Sequence, residues 1–232
     1  KILSKVNQLF VGKIKIISLK TAKGDSLNIY PKIIKKLKNK ESGYILSGLN
    51  LAFIGFIEKI EPDRSFRLWP DGIFSKFFTK KVKKFAGRNI INQIDMWGAK
   101  NIILVGNLNK HAKIFFKEKK LRIKKYVELP YGSIELIKKK IKKFSFKKIK
   151  KGTFVVITLP TPKQEIIAKE IYYQNPQLKI LCLGGALNII SGHEIPVPKI
   201  LEDLGLEFFW RLKTDPLRRS VRLFISFFRV EV

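Results

Sequence analysis

The sequence predicts an α/β fold, a mostly parallel sheet with helices on both faces. Short β-rich runs alternate with runs of helical spacing along most of the chain. Within residues 133–150 the apolar positions Ile134, Ile137, Ile141 and Phe144 recur at helical intervals, and lysines fill the opposite face. The chain has 232 residues of ordinary hydrophobic content (45%), enough to bury a core in one or two domains.

Each element has its own signal. "KIKIISL" (13–19) reads as a strand, and "IYPKIIKKLK" (29–38) as a helix that tolerates Pro31 in its first turn. "YILSGLN" leads into an apolar helix candidate over 49–60. "FRLWP" (66–70) is a strand, and "WPDGIFSKFF" then turns through Pro70, Asp71 and Gly72 into a helix-spaced run over 73–84. "KNIILVG" (100–106) is a strand followed by a helix around 109–119, and "IKKYVEL" (123–129) is another strand. "GTFVVITLP" is a strand, "KQEIIAKEIYYQ" a helix and "LKILCLG" a strand. This rhythm is that of a Rossmann-like sheet, in which ligands bind at the carboxyl ends of the strands. Asp71, Gly106, Thr158 and Gly184 all fall at or just after predicted strand ends, so four loops could line one crevice.

Composition narrows the partners. The formal charge is +30, from 39 Lys and 9 Arg against 18 acids. Such a field attracts nucleic acid, an anionic membrane surface or phosphorylated substrates. A single cysteine, Cys182, excludes an internal disulfide framework and reads as core filler. The two histidines, His111 and His193, are isolated, and neither His/Cys spacing nor an Asp-x-Asp motif suggests a metal site. Ser47 and Ser191 lack the context of a nucleophile elbow, which argues against a hydrolase triad. The uncharged run 44–57 is too short to span a bilayer. The default expectation is an intracellular protein, soluble or peripheral.

Three loops carry candidate chemistry, each with a plain structural alternative. Asp71 is either a helix cap, accepting from the free N–H groups of a first turn, or a reactive carboxylate over a cleft. "TLPTPKQE" (158–165) either presents a helix N-terminus to a phosphate or is a stiff loop in which Glu165 complements the helix dipole. Gly184 and Gly185, in "LGGALNIISG", either let a phosphate approach the backbone or make a tight turn. No G-x-G-x-x-G is present, so a dinucleotide reading is weak.

After Gly205 the composition shifts. "LEFFWRLKTDPLRRSVRLFISFFRV" combines bulky aromatics with Arg211, Arg218, Arg219, Arg222 and Arg229, five of the nine arginines. Residues 1–205 read as the α/β core and 206–232 as a C-terminal helical appendage. Interleaved rings, aliphatics and guanidiniums suit the headgroup region of a membrane. Nucleic acid is disfavoured as a partner, because arginines and aromatics are not gathered on the lysine-rich helices.

An ordered series of motifs spans nearly the whole chain: "LN" at 49–50, "PDG" at 70–72, "PKQE" at 162–165, "GGALNIISG" at 184–192, "GLEFFWRL" at 205–212 and "DPLRRSVR" at 215–222. In this the sequence resembles the WecG/TagA/CpsF glycosyltransferase family. The resemblance implies inverting, metal-independent transfer of an N-acetylmannosamine-type sugar from a UDP donor. The implied acceptor is a polyprenyl-diphosphate-linked sugar on the cytoplasmic membrane face, in cell-surface polysaccharide or teichoic acid synthesis. It implies Asp71 as general base and no cofactor or metal. It places Asn50, Gln164, Gly184 and Gly185 in the substrate site, and Arg211, Arg218 and Arg222 over the diphosphate. It also implies a cytoplasmic protein peripheral to the membrane, and it leaves self-association open. The chemistry suits these residue types, since inversion needs one base for the acceptor hydroxyl and the leaving diphosphate needs positive charge. The chain departs from the usual family pattern at Gly48, Pro160, Asn188 and Pro196. The other reading of the composition is a non-catalytic basic protein that binds nucleic acid or anionic lipid.

Overall fold

The structure, a computed structural model, describes residues 15–16, 43–71, 87–92, 94, 101–107, 110–184 and 186, and separate positions between 197 and 225. The strands are β1 (Lys15–Ile16), β2 (Tyr44–Leu49), β3 (Phe66–Pro70), β4 (Asn101–Val105), β5 (Arg122–Val127), β6 (Phe154–Ile157) and β7 (Lys179–Cys182). The helices are α1 (Leu51–Gly55), α2 (Ile57–Ile60), α3 (Gly87–Asn92), α4 (Lys110–Glu118), α5 (Ile134–Lys143) and α6 (Lys163–Gln174). The strands form one sheet in the order β1-β3-β2-β7-β6-β4-β5, and every neighbouring pair is parallel. The α/β, Rossmann-like fold expected from the sequence is therefore present. The helices expected at 29–38 and 73–84 lie outside the described residues.

Strand periodicity divides the core into two layers. Ile45, Leu49, Phe66, Leu68, Ile103, Val105, Val155, Ile157, Ile180 and Cys182 face one side, where α1, α2, α5 and α6 pack. Tyr44, Leu46, Trp69, Ile102, Leu104, Phe154, Val156 and Leu181 face the other, where α3 and Phe116 of α4 pack. Successive side chains of a strand point to opposite faces, so both sides of such a strand must be apolar.

The connections whose helices are described obey a simple rule. Those that step toward the β1 edge carry α1 and α2, α5 or α6 on the first face. Those that step toward the β5 edge carry α3 or α4 on the second. This segregation is what a single hand of parallel crossover produces. Because every pair is parallel, the carboxyl ends of the strands share one rim.

Local signals explain the helix ends. Asn50 accepts a hydrogen bond from Phe53 N at 3.0 Å and caps α1. The apolar run continues past Gly55, but the backbone breaks at Phe56, and α2 closes at Glu61 in the left-handed region (φ 47°). Ser133 caps α5 by accepting from Leu136 N. Of the four periodic positions expected in that helix, Ile137 and Ile141 are buried, while Phe144 is its C-cap residue. Cys182 is buried, as its apolar run predicts.

Candidate active site at the strand ends

β2 organises the site because its two neighbours, β3 and β7, both end beside it. Asn50 follows β2 and Asp71 follows β3, and the register pairs Leu49 with Pro70. The ladder continues one bond further, with Asp71 N donating to Leu49 O at 3.1 Å. Asn50 Nδ2 then donates to Asp71 Oδ2 at 3.3 Å, while Asn50 Oδ1 serves the α1 cap. One side chain thus ties the Asp71 carboxylate to the start of a helix. Whether Asp71 itself caps a helix concerns residues outside the described ones.

Gly48 permits this arrangement. A Cβ at position 48 would lie 3.0 Å from Asp71 Cβ, 3.1 Å from Asp71 Oδ2 and 3.2 Å from Trp69 Cζ2. Contacts that short force a neighbour to move, so the bare backbone lets Asp71 lie close over β2. Trp69 leads from there toward the turn after β7. A Cβ on Gly87 would meet both Trp69 Cζ2, at 3.7 Å, and Ala186 Cβ, at 3.6 Å.

On the other face of β2, Ser47 is opposite Cys182 of β7, beneath the first turn of α6. Ser47 Oγ donates to Glu165 Oε1 at 2.8 Å. Thr161 Oγ1 donates to the same oxygen at 3.0 Å, and Gln164 Nε2 does so at 2.8 Å. Gln164 Nε2 also donates to Thr161 Oγ1 at 3.0 Å. The stiff loop that delivers these groups contains a cis Thr161–Pro162 bond. Glu165 lies in the first turn of α6, as the stiff-loop alternative has it, but it has no exposed surface and points into the core. The first turn of α6 is buried all round, from Gln164 through Ala168, and Ile171 continues the contact one turn on, so Glu165 is enclosed with its neighbours. Burial pushes the Glu165 carboxyl up from the ordinary carboxylate range, and bonds from Ser47, Gln164 and Thr161 oppose that push. Burial likewise pushes up the Cys182 thiol, and the nearby Glu165 adds to the effect.

Gly184 is left-handed (φ +51°), and a Cβ there would sit 3.5 Å from Gln164 Oε1. The structure therefore brings together Asn50 with Asp71, and Gln164 with Gly184, on adjacent strand ends. Gly185, Arg211, Arg218 and Arg222 lie outside the described residues. Sequence reasoning set Ser47 aside and did not single out Thr161. Only the adjacency of Glu165 to Gln164 at the head of a buried helical stripe signalled the cluster. Among the described residues, no three His, Cys, Asp or Glu side chains converge as a metal site.

Residues 148–230 match the model of the glycosyl transferase WecG/TagA/CpsF family.

That stretch holds Gln164, Gly184 and Gly185, along with the arginine-rich motifs of the tail, and it bears out the resemblance read from the ordered motifs. WecG/TagA/CpsF proteins are glycosyltransferases of cell-surface polysaccharide synthesis, and the match supports transferase activity in this chain. Asn50 and Asp71 precede the matched stretch and join it through the pairing of β2 with β7.

Proposed function

We propose that this chain transfers an N-acetylmannosamine-type sugar from a UDP donor to a polyprenyl-diphosphate-linked sugar, with inversion and without a metal. The observation that carries the reading is the Asn50–Asp71 pair on the strand-end rim, one strand from Gly184 after β7 and two from Gln164 after β6. In this reading Asp71 takes the proton of the acceptor hydroxyl. The hydroxyl oxygen forms its bond to the anomeric carbon from the face opposite UDP. The bond from that carbon to the diphosphate oxygen breaks, and its electron pair leaves with UDP. Asn50 holds one carboxylate oxygen and so orients the base. Gln164, Gly184 and Gly185 contact the nucleotide sugar, and Arg211, Arg218 and Arg222 offset the charge of the leaving diphosphate.

Residues 206–232 act in this proposal as an appendage that meets an anionic membrane surface on its cytoplasmic side. Phe209, Leu217, Val221, Phe224 and Ile225 are helical and exposed, which supports the reading. Among the described residues no helix is long and apolar enough to cross a membrane.

A panel of UDP-sugars offered with polyprenyl-diphosphate-sugar acceptors, read by mass spectrometry, tests the reaction. The expected product is the acceptor extended by one N-acetylhexosamine. Saturable protection by UDP against thermal unfolding is the supporting result. Salt-sensitive binding to polyanions with no UDP effect would instead favour the non-catalytic binding protein.

A further inference from the structure

Glu165 is a fully buried carboxyl group with an asymmetric environment. Three donors, from β2, from the loop before α6 and from α6 itself, converge on Oε1 at 2.8 to 3.0 Å. Oε2 is buried and has no hydrogen-bond partner among the described residues. Among the described residues no lysine or arginine pairs with the group.

The Gln164 amide beside it is also 94% buried, with 6% of its surface exposed. Its Nε2 gives one hydrogen to Glu165 and one to Thr161. A flipped amide would set its oxygen against the Glu165 oxygen, so the network fixes which end faces which way. Among the described residues the amide oxygen Oε1 is left buried and without a partner, next to the left-handed turn at Gly184. Buried acceptors in folded proteins are normally satisfied. This one faces the turn where the sugar nucleotide is proposed to lie.

We propose that Glu165 is a positioning residue: it locks the Gln164 amide so that Gln164 Oε1 is offered as an acceptor to an N–H or O–H group of the sugar nucleotide. This rests on the transferase reading for the identity of the ligand, but not for the lock itself. Glu165 does this as a neutral acid with its proton on Oε2, so that Oε1 stays an acceptor; an ionised carboxylate there would be buried with one bare oxygen and, among the described residues, no cation. The upward shift of its pKa by burial agrees.

The test reads the lock and the ligand separately. In 15N-labelled protein, the side-chain amide resonances of Gln164, identified by their loss in Gln164→Leu, report the lock without ligand. They are expected to be resolved and exchange-protected in the wild type and in Glu165→Gln, and averaged in Glu165→Leu. Thr161→Val leaves the Glu165–Gln164 bond in place, so it is expected to keep the amide locked. If Thr161→Val alone frees the amide, or Glu165→Leu leaves it locked, the proposal is overturned. These two outcomes also bracket the case in which Glu165→Leu fails to fold, since Thr161→Val and Glu165→Gln still decide the assignment.

With UDP-sugar as probe, Glu165→Leu is expected to raise Kd on the order of tenfold, the scale of one lost hydrogen bond, and Glu165→Gln to leave it near the wild-type value. In the Gln164→Leu background Glu165→Leu is expected to add little, because both changes remove the same contact. Additive effects overturn the proposal. A wild type that binds no UDP-sugar but keeps a locked Gln164 amide sinks the transferase reading and leaves the lock standing.

Discussion

At the scale of single residues, Asp71 and Glu165 are two carboxylates placed in opposite surroundings. Asp71 is partly exposed and takes a hydrogen bond from the amide of Asn50, which suits a carboxylate that must receive a proton. Asp71→Asn keeps the shape and the backbone bond to Leu49 but removes the proton acceptor. Turnover is expected to fall by roughly 10²–10⁴-fold, the range for loss of a general base. UDP affinity is expected to change little, and steady-state kinetics with calorimetry checks both; near-normal turnover would reduce Asp71 to a structural role. Glu165 is buried, and its pKa is raised by desolvation. Its folded state therefore keeps the proton to higher pH than the unfolded chain does. The stability this contributes is fully present below about pH 4.3, where an exposed glutamate ionises, and is lost as pH rises through the folded value. Ser47, Thr161 and Gln164 facing it do not ionise, and the raised Cys182 thiol stays neutral across that window. Glu165→Gln should thus gain stability relative to the wild type from acid toward neutral pH, then level off. Urea midpoints measured across that range check this, and parallel curves would contradict it.

At the scale of elements, α5 shows how one pattern serves both packing and charge. Ile137 and Ile141 enter the core one turn apart, while Lys139, Lys142 and Lys143 stay in solvent. Lys138 pairs with Glu170 of α6 at 3.0 Å, a half-exposed contact worth little by itself. The anchoring comes from the isoleucines. Ile141→Ala should cost about 2–5 kcal/mol of unfolding free energy, because the side chain is wholly buried and leaves a cavity. Ser133→Ala should cost only about 0.5–1 kcal/mol through the lost cap. Denaturant titration of both variants checks the order. A larger loss at Ser133 than at Ile141 would mean that the cap, not the packing, holds the helix.

At the scale of the whole molecule, the question is whether the tail belongs to the core. Among the described residues, both apolar clusters and the side chains packed on them draw only on positions 44–186. From residue 207 on, Trp210 is the one described residue that is partly buried; the others are exposed. Removing 207–232 is therefore expected to leave the α/β core folded and soluble. It should weaken co-sedimentation with anionic liposomes and sharply reduce transfer to a polyprenyl-linked acceptor. Charge reversal at Arg218 and Arg222 separates lipid from diphosphate contacts, since transfer to a short, water-soluble acceptor should also fall if the arginines meet the diphosphate. A truncated chain that binds liposomes and turns over like the full one would contradict the appendage. One that cannot fold would make the tail part of the core.

The sequence by itself determined the local elements and their order. Strands such as "FVVI" and "KILC" and the helical stripe of 163–174 are legible because backbone periodicity and side-chain polarity act over a few residues. It also located Asp71, Gln164 and Gly184 at strand ends, since a loop between a strand and a helix is a local feature. Only the tertiary structure decided that β2 lies between β3 and β7. That choice sets Ser47 against Glu165 across 118 positions of chain and Asn50 against Asp71 across 21. The order of parallel strands depends on which faces bury most completely once all the helices are placed, and no short window of residues carries that information. For the same reason the sequence showed Glu165 as a first-turn acid, whereas the fold buried it and made it the partner of Gln164.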